Sequence, residues 1–174
     1  MKPVKKILAL ILAGVMALAL LTGCGKATSL NRTMAEGLAE YFKSALAEQG
    51  IEKNISVSYQ VPELRRDIAP LFDENWIAYD AGGNPNALTN AAKETLKNIL
   101  SPYISATSAV NFLTADVTDA KTPSMEITNL NNSQIALNIT SSFEFASVTT
   151  IKVAVTHKTV NGRTYALTVV IFEA

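Results

Sequence analysis

The sequence predicts an α+β domain in which helices pack on an antiparallel sheet that ends in a C-terminal hairpin. Apolar residues recur at helical spacing over 29–49, and a glycine follows that can end the helix in a left-handed conformation. Near the C-terminus, Asn161-Gly162 separates two runs rich in apolar residues, which is the strongest short signal for a hairpin. The last run, 165–172, is apolar at nearly every position. We therefore expect that strand inside the sheet, with a layer on each face.

The hairpin register follows from the turn, because a two-residue loop leaves only one pairing of the flanking residues. The first strand is less apolar on one of its faces than the second, which indicates a position nearer an edge. His157 follows Ile151, Val153 and Val155 in the same alternation, a pattern that a buried functional imidazole would also show. Because it falls opposite the small Ala166, we expect it instead at the solvated end of its strand. The predicted pairs are Val160 with Arg163, Val155 with Thr168, Val153 with Val170 and Ile151 with Phe172.

The first half of the chain predicts a strand and two further helices. Alternating residues over 55–61 indicate a half-buried strand, which Pro62 ends.

Asn84-Pro85 is typical of a helix N-cap and first turn, so we expect a helix over 88–104, bent or ended by Pro102. A short helix is also predicted between Glu63 and Phe72, with a last turn distorted by Pro70 and an apolar face made of Leu64, Ile68, Leu71 and Phe72.

The stretch between the last predicted helix and the hairpin is less clear. We expect strands over 110–117 and 125–128, joined by a turn-rich link over 118–123. Segment 132–145 fits strand and helix periods equally well. As a strand, this segment would pair with 125–128 through a loop of three residues. A loop of two residues would shift the register by one and move its apolar side chains to the other face of the sheet. Both alternatives, and the helix, stay open.

The N-terminal 23 residues have the pattern of a secretory signal. Lys2, Lys5 and Lys6 form a basic head, and 7–21 is an unbroken run of apolar and small residues. This run is shorter than the roughly 20 residues that span a bilayer. The ending Leu21-Thr22-Gly23-Cys24 resembles the lipobox of bacterial lipoproteins.

The resemblance implies cleavage between Gly23 and Cys24 and a diacylglyceryl group on the Cys24 sulfur. Residues 24–28 would then be a tether and 29–174 a single globular domain. Two acyl chains hold a protein stably on a membrane. We therefore expect the domain outside the cell, anchored to the outer face of the cytoplasmic membrane, or to an outer membrane where there is one. Its predicted partners are the membrane, through Cys24, and a ligand or protein of the cell envelope.

Composition limits the remaining functions. The whole chain has 15 basic and 15 acidic side chains, and the segment from Cys24 onward has 12 basic and 15 acidic ones. A nucleic-acid partner is not expected, because such proteins need a basic face. Cys24 is the only cysteine, so no disulfide within the chain can stabilise the domain.

One irregular stretch, 73–85, is the candidate ligand loop. An aromatic side chain beside carboxylates can bind a sugar or a cation. The alternative is a loop whose Trp76 closes the edge of the domain. The candidate ligand residues are Asp73, Glu74, Trp76, Tyr79 and Asp80.

The residues favour neither a metal centre nor a nucleophilic active site. One histidine and one lipidated cysteine leave only carboxylates as metal ligands, and these lack the spacing of a calcium loop. No Gly-x-Ser-x-Gly motif is present. We therefore expect no metal, no cofactor and no catalytic residue, although the question of enzymatic activity stays open.

Residues 35–172 resemble a reduced CAP-superfamily (SCP/PR-1) domain, which implies an αβα sandwich. The family's cavity uses two histidines and two glutamates, whereas here only Glu126 falls at such a position and His157 at neither histidine position. The resemblance thus implies a scaffold without its polar cavity and a helix over 132–145. It is carried by Val61-Pro62-Glu63-Leu64, Ser124-Met125-Glu126-Ile127, Ile151-Lys152-Val153-Ala154-Val155 and Tyr165-Ala166-Leu167-Thr168-Val169-Val170-Ile171-Phe172.

Three functions follow from these patterns. The first is a non-catalytic binding or interaction domain on a membrane-anchored lipoprotein. The second is a small cell-wall hydrolase that uses the carboxylates of 73–80. The third is a cystatin- or NTF2-like cone that binds a small apolar molecule, with the helix over 88–104 across a curved sheet and 132–145 as a strand.

Overall fold

The computed structural model describes residues 30–51, 54–58, 64–133, 135–140 and 143–174, and a mixed five-stranded sheet lies at its centre. The predicted signal sequence, Cys24 and the predicted tether lie outside the described residues. The α-helices are α1 (Leu30–Glu48), α2 (Asn90–Leu100) and α3 (Pro123–Asn132). The strands are β1 (Ser56–Ser58), β2 (Ile77–Tyr79), β3 (Pro85–Leu88), β4 (Ser108–Asp116), β5 (Ala136–Thr140), β6 (Thr150–Val160) and β7 (Arg163–Glu173).

The strand order of the large sheet is β1-β6-β7-β4-β5, with β1 parallel to β6 and the other neighbours antiparallel. β2 and β3 form a separate two-stranded sheet. Short helical turns connect the elements. They are a π-helix at Leu64–Ile68 and 3-10 turns at Glu74–Trp76, Ser101–Tyr103 and Phe145–Ser147.

The C-terminal hairpin confirms its predicted register. Val160 pairs with Arg163 and Ile151 pairs with Phe172. Asn161 and Gly162 have φ values of 50° and 77°, the left-handed conformation that a tight hairpin turn requires at both central positions. β7 lies at the centre of the sheet between β6 and β4, as its apolar pattern predicts.

Helices cover both faces of the sheet, which divides the core in two. On one face α1 and α3 pack on β4, β6 and β7, and on the other face α2 and the π-helix pack on β4 and β7. The division follows the alternation of side chains along β7. Ala166, Val170 and Phe172 point to the first face, while Tyr165, Leu167, Val169 and Ile171 point to the second.

The helix predicted over 29–49 is confirmed as α1. It ends at Gly50, whose φ is 76°, and the N–H of Ile51 returns to the carbonyl of Leu46 at 3.0 Å. Gly37 lies where α1 meets α3. A Cβ at this position would lie 2.6 Å from Cδ1 of Ile127, so the absence of a side chain permits the close approach of the two helices.

The predicted start of the helix over 88–104 is wrong. Pro85 belongs to β3, and the N-cap is Thr89, whose hydroxyl accepts a hydrogen bond from the N–H of Ala92 at 3.3 Å. The cap prediction fails because Asn84 is engaged in its own loop, where its N–H donates to Asp80. The end of the helix is close to the prediction, since Pro102 lies in the 3-10 turn that follows α2.

The strand predicted over 125–128 is wrong, because these residues belong to α3. Thr122 caps this helix and Pro123 occupies its first turn, a pairing that favours helix over strand. Ile127 and Leu130 are buried, whereas Met125 is 45% exposed, so the apolar face follows the helical period.

The strand alternative holds for Ala136–Thr140 within segment 132–145, but its predicted pairing is wrong. β5 pairs with β4, with Leu137 opposite Phe112. Residues 125–128 were not available as a partner because they are helical. The strand over 110–117 is confirmed as β4.

Two early elements are shorter than predicted. The helix over 63–72 is reduced to the π-helix Leu64–Ile68. Leu64, Ile68 and Phe72 are buried as expected, but Leu71 is 50% exposed. Of the strand over 55–61, Ser56–Ser58 form β1, and 59–61 lie outside the described residues. No helix in the described ranges is long and apolar enough to span a membrane.

Candidate functional site

Polar side chains gather at one end of the large sheet, which we call the hairpin end. It is the end where β6 turns into β7 at 161–162 and where β4 finishes with Asp116 opposite Tyr165. α3 begins seven residues after Asp116 and brings its first turn to the same end. Four polar pairs lie here. They are Glu126 with His157, Tyr79 with Tyr165, Asp116 with Arg163, and Glu74 with Asn161.

The Glu126–His157 pair is the most buried of the ion pairs at this end. Oε2 of Glu126 lies 2.6 Å from Nε2 of His157, and the two side chains are 9% and 21% exposed. Glu126 is held in the first turn of α3 by the Thr122 cap. His157 projects from β6 in register with Ala166, whose small side chain leaves the carboxylate room to approach.

This pair corrects the sequence-based expectation for His157. The predicted register with Ala166 is confirmed, but the imidazole is not at a solvated end, because α3 covers it. Glu126 had drawn attention only through the CAP-like resemblance. The alternation of His157 with Val153 and Val155 was a signal for this placement, since all three share one face of β6.

A carboxylate bound to one ring nitrogen fixes the orientation of an imidazole. The pair can therefore present an oriented imidazole or act as an ionic link between α3 and the sheet. It supplies only two metal-ligating side chains. Over the part of the chain that the structure describes, no group of three or more His, Cys, Asp or Glu side chains could hold a metal ion.

Tyr79 and Tyr165 meet on the opposite face of the sheet. Their hydroxyl oxygens are 3.4 Å apart, Tyr165 is 1% exposed and Tyr79 is 44% exposed. Burial, and then the hydrogen bond with Tyr79, raise the pKa of Tyr165 above its usual value of 10.0. The nearby charge of Asp116 acts in the same direction, and Arg163 acts against it.

The ion pair between Asp116 and Arg163 closes the same end at the surface. Nη1 of Arg163 lies 3.2 Å from Oδ2 of Asp116, and both side chains keep some exposure. The other carboxylate oxygen accepts from the hydroxyl of Thr118 at 2.5 Å, and that hydroxyl in turn accepts the N–H of Thr164 at 2.9 Å. Asp116 thus joins the ends of β4 and β7.

Two carboxylates of the candidate ligand loop accept hydrogen bonds from the backbone of the loop itself. Asp73 caps the 3-10 turn by accepting the N–H of Asn75 at 2.8 Å. Asp80 accepts the N–H groups of Gly82 and Asn84, each at 2.9 Å. These hydrogen bonds lower the pKa of Asp80 below 3.8, and the bond from the N–H of Asn84 has the largest effect.

The other candidate ligand residues of this loop lie either in the core or at the surface of the domain. Trp76 is 7% exposed and packs on Phe72, whose ring also contacts Tyr165, so it closes the edge of the second core. Glu74 is exposed and accepts a hydrogen bond from the side-chain amide of Asn161 in the hairpin turn. Of the five candidates, Glu74 and Tyr79 therefore contact the hairpin end directly.

Comparison with known proteins gives no relative, since no family model, no curated protein and no solved structure matches this chain.

Proposed function

We propose that this chain is a membrane-anchored extracytoplasmic lipoprotein whose single domain binds a partner of the cell envelope and does not catalyse a reaction. The observation that carries the proposal is the sequence Leu21-Thr22-Gly23-Cys24 at the end of a basic and apolar leader. The cysteine at this position is the only one in the chain, so the resemblance to a lipobox assigns it to a diacylglyceryl group.

The arrangement of polar side chains at the hairpin end supports a rigid, non-catalytic scaffold. Glu126, Asp116 and Glu74 each have a partner from a different element. Asp73 and Asp80 are bound to the backbone of their own loop, which gives no support to a hydrolase that uses the carboxylates of 73–80. The paired side chains hold the elements of the domain in fixed positions, and a rigid scaffold loses little conformational freedom when its other surfaces bind a partner.

The proposal also includes the fold family of the domain. The helices on both faces of the sheet agree with a CAP-like sandwich, while the strand at Ala136–Thr140 favours the cystatin- or NTF2-like alternative, which requires a strand there. We infer that the domain is a binding scaffold of one of these two kinds. The small apolar ligand of the cone-like alternative would have to enter one of the two cores.

The anchor is tested by metabolic labelling with a fatty acid that carries a reporter group. We expect the wild-type protein to take up the label and to fractionate with membranes. Cys24→Ala should lose both properties, because it removes the only thiol of the chain. Thr28→Ala is the matched control four residues away and should keep both. Uptake of label by Cys24→Ala would contradict the proposal.

A further inference from the structure

We propose that the hairpin end of the sheet faces the bilayer and lies within reach of the lipid headgroups. This inference rests on the proposed anchor at Cys24 and adds the orientation of the domain. It follows from the direction in which α1 runs along the sheet and from the number of residues between Cys24 and Leu30.

The C-terminal half of α1 lies at the end of the sheet opposite the hairpin turn. The rings of Phe42 and Phe172 contact each other with centroids 5.4 Å apart, and Phe172 pairs with Ile151 near the start of β6. After α1 the chain reaches β1, where Ser56 pairs with Thr150 at the same end. Both observations place the last turns of α1 far from 161–162.

The N-terminal half of α1 lies near the hairpin end. Gly37 abuts Ile127 in α3. The residue before Ile127, Glu126, binds His157, which is six residues along β6 from Ile151. From Phe42 to Gly37 the helix therefore runs from the Phe172 end of the sheet toward His157.

Distances along α1 and β6 place the start of α1 near the hairpin end as well. Leu30 is twelve residues before Phe42, which is about 18 Å of α-helix at 1.5 Å per residue. His157 is six residues after Ile151, which is about 20 Å of strand. Leu30 therefore lies close to the level of His157. The turn at 161–162 extends roughly 13 Å beyond His157 in the same direction.

The tether sets how far the hairpin end can lie from the membrane. Only residues 25–29 separate Cys24 from Leu30. Even a fully extended chain of this length spans at most about 20 Å. The turn at 161–162 extends beyond Leu30 on the same side. Acyl chains on Cys24 therefore hold this turn close to the lipid surface, at a distance between a few ångströms and about the thickness of the headgroup layer.

Electrostatic attraction is not needed for this orientation. The charged side chains at the hairpin end are balanced, and several of them are already paired. The orientation should therefore depend on the length of the tether and not on salt, since screening acts only on charge interactions. The charges that reach the surface there are Lys121, Lys158 and Arg163 on one side, and Glu74, Asp116 and Asp119 on the other; Glu126 is buried against His157.

The inference also assigns the surface that is free for a partner. The opposite end of the sheet would face away from the membrane. It carries the turn before β4 around Ala106, the end of α1 at Gly50 and the last residue, Ala174, whose N–H donates to the carbonyl of Thr107. A protein or polymer of the cell envelope would approach the domain there or from its sides.

The experiment uses the full-length acylated protein in liposomes that contain lipids with a nitroxide on the headgroup. Acylation blocks Cys24, so a thiol-reactive fluorophore reacts with a newly introduced cysteine. Thr159→Cys places the fluorophore beside the hairpin turn, and Ala106→Cys places it at the opposite end; both positions are exposed. Mass spectrometry of each sample confirms acylation.

We expect the nitroxide lipids to quench the fluorophore at Thr159 several-fold more than the fluorophore at Ala106, with no change on addition of salt. A flexible Gly/Ser insert of about 30 residues between Thr28 and Ser29 should remove the difference, because such a linker has a mean span of roughly 30 Å. Equal quenching at the two positions, or stronger quenching at Ala106, in acylated protein would overturn the orientation and leave the anchor standing. Protein that is not acylated would overturn both proposals.

Discussion

Oε2 of Glu126 lies 2.6 Å from Nε2 of His157, and this contact joins the first turn of α3 to β6. Glu126 is the one charged residue among the buried residues that the structure describes. A buried charge without a partner is costly, so each member of the pair depends on the other. The pair is therefore the main polar link between the helical layer and the sheet at the hairpin end.

The first prediction concerns the coupling between these two side chains. Glu126→Ala and His157→Ala should each destabilise the domain by about 1–3 kcal/mol, because each leaves a buried polar group without this partner. In a double-mutant cycle the coupling free energy should be about 1–3 kcal/mol, which chemical denaturation measures. The cycle matters because His157 has a further interaction besides the one with Glu126.

An exposed ion pair on α2 is the control for this cycle. Nζ of Lys97 lies 2.7 Å from Oε1 of Glu94, at 48% and 69% exposure. Exposed helical pairs of this kind couple by only about 0.3–0.5 kcal/mol. If the Glu126–His157 coupling is no larger than that of the control, the pair is not a structural link.

The second prediction concerns the contact between α1 and α3. Gly37→Ala improves helix propensity by up to about 1 kcal/mol. The added methyl group, however, would meet Cδ1 of Ile127 at 2.6 Å, and overpacking a core costs about 1–3 kcal/mol. We expect Gly37→Ala to destabilise the protein in denaturant unfolding.

Removing the opposing methyl group should reverse this result. Ile127→Val deletes Cδ1, so Gly37→Ala in that background should be neutral or stabilising by up to about 1 kcal/mol. If Gly37→Ala has the same effect in both backgrounds, the two helices do not meet at this point as closely as described.

Part of this fold could be predicted from the sequence because its signals are local. Asn161-Gly162 fixes the hairpin register, and the double-faced apolar pattern of β7 fixes its central place. The helix at 123–132 was missed because Met125 and Ile127 alternate as in a strand. The Thr122-Pro123 pair was the local signal for a helix start, and it did not enter the prediction.

The candidate site was less predictable, since its pairs join elements far apart in the chain. Glu126 and His157 are 31 residues apart, and Glu74 and Asn161 are 87 apart. The predicted hairpin register shows on which face of β6 His157 lies, but it does not show that α3 covers the side chain. Asp80 differs, because its partners lie within four residues and the Asp-Ala-Gly-Gly-Asn sequence is typical of a turn.

The third prediction concerns the acid titration of Asp80. The N–H of Asn84 is the main cause that lowers the pKa of this carboxyl below 3.8. Since the folded-state pKa lies below the unfolded value, the contribution to stability is present above 3.8 and is lost as the pH falls through the folded-state pKa. We expect the Asp80 carboxyl in an NMR titration to show a midpoint below that of the unfolded chain. An equal or higher midpoint would contradict the hydrogen bonds described for this loop.

The fourth prediction concerns Tyr165 at alkaline pH. Its pKa is raised, first by burial and then by the hydrogen bond with Tyr79, so the group stabilises the fold fully below pH 10.0 and progressively less as the pH rises beyond it. Tyrosinate absorbance should show a late-ionising tyrosine that is absent from Tyr165→Phe. In Tyr79→Phe this tyrosine should ionise at a lower pH than in the parent but still later than a free tyrosine, because burial remains. If Tyr79→Phe leaves the late ionisation unchanged, the hydroxyl contact does not contribute.

The central claim, that an acylated Cys24 holds this domain at a membrane, is tested most directly by the mass of the N-terminal peptide from the membrane fraction. We expect a peptide that begins at Cys24 and carries the added mass of a diacylglyceryl group, with or without a further acyl group on the new amino terminus. A peptide that begins at Cys24 without added mass, or one that still contains residues 1–23, would show that Cys24 does not anchor the domain.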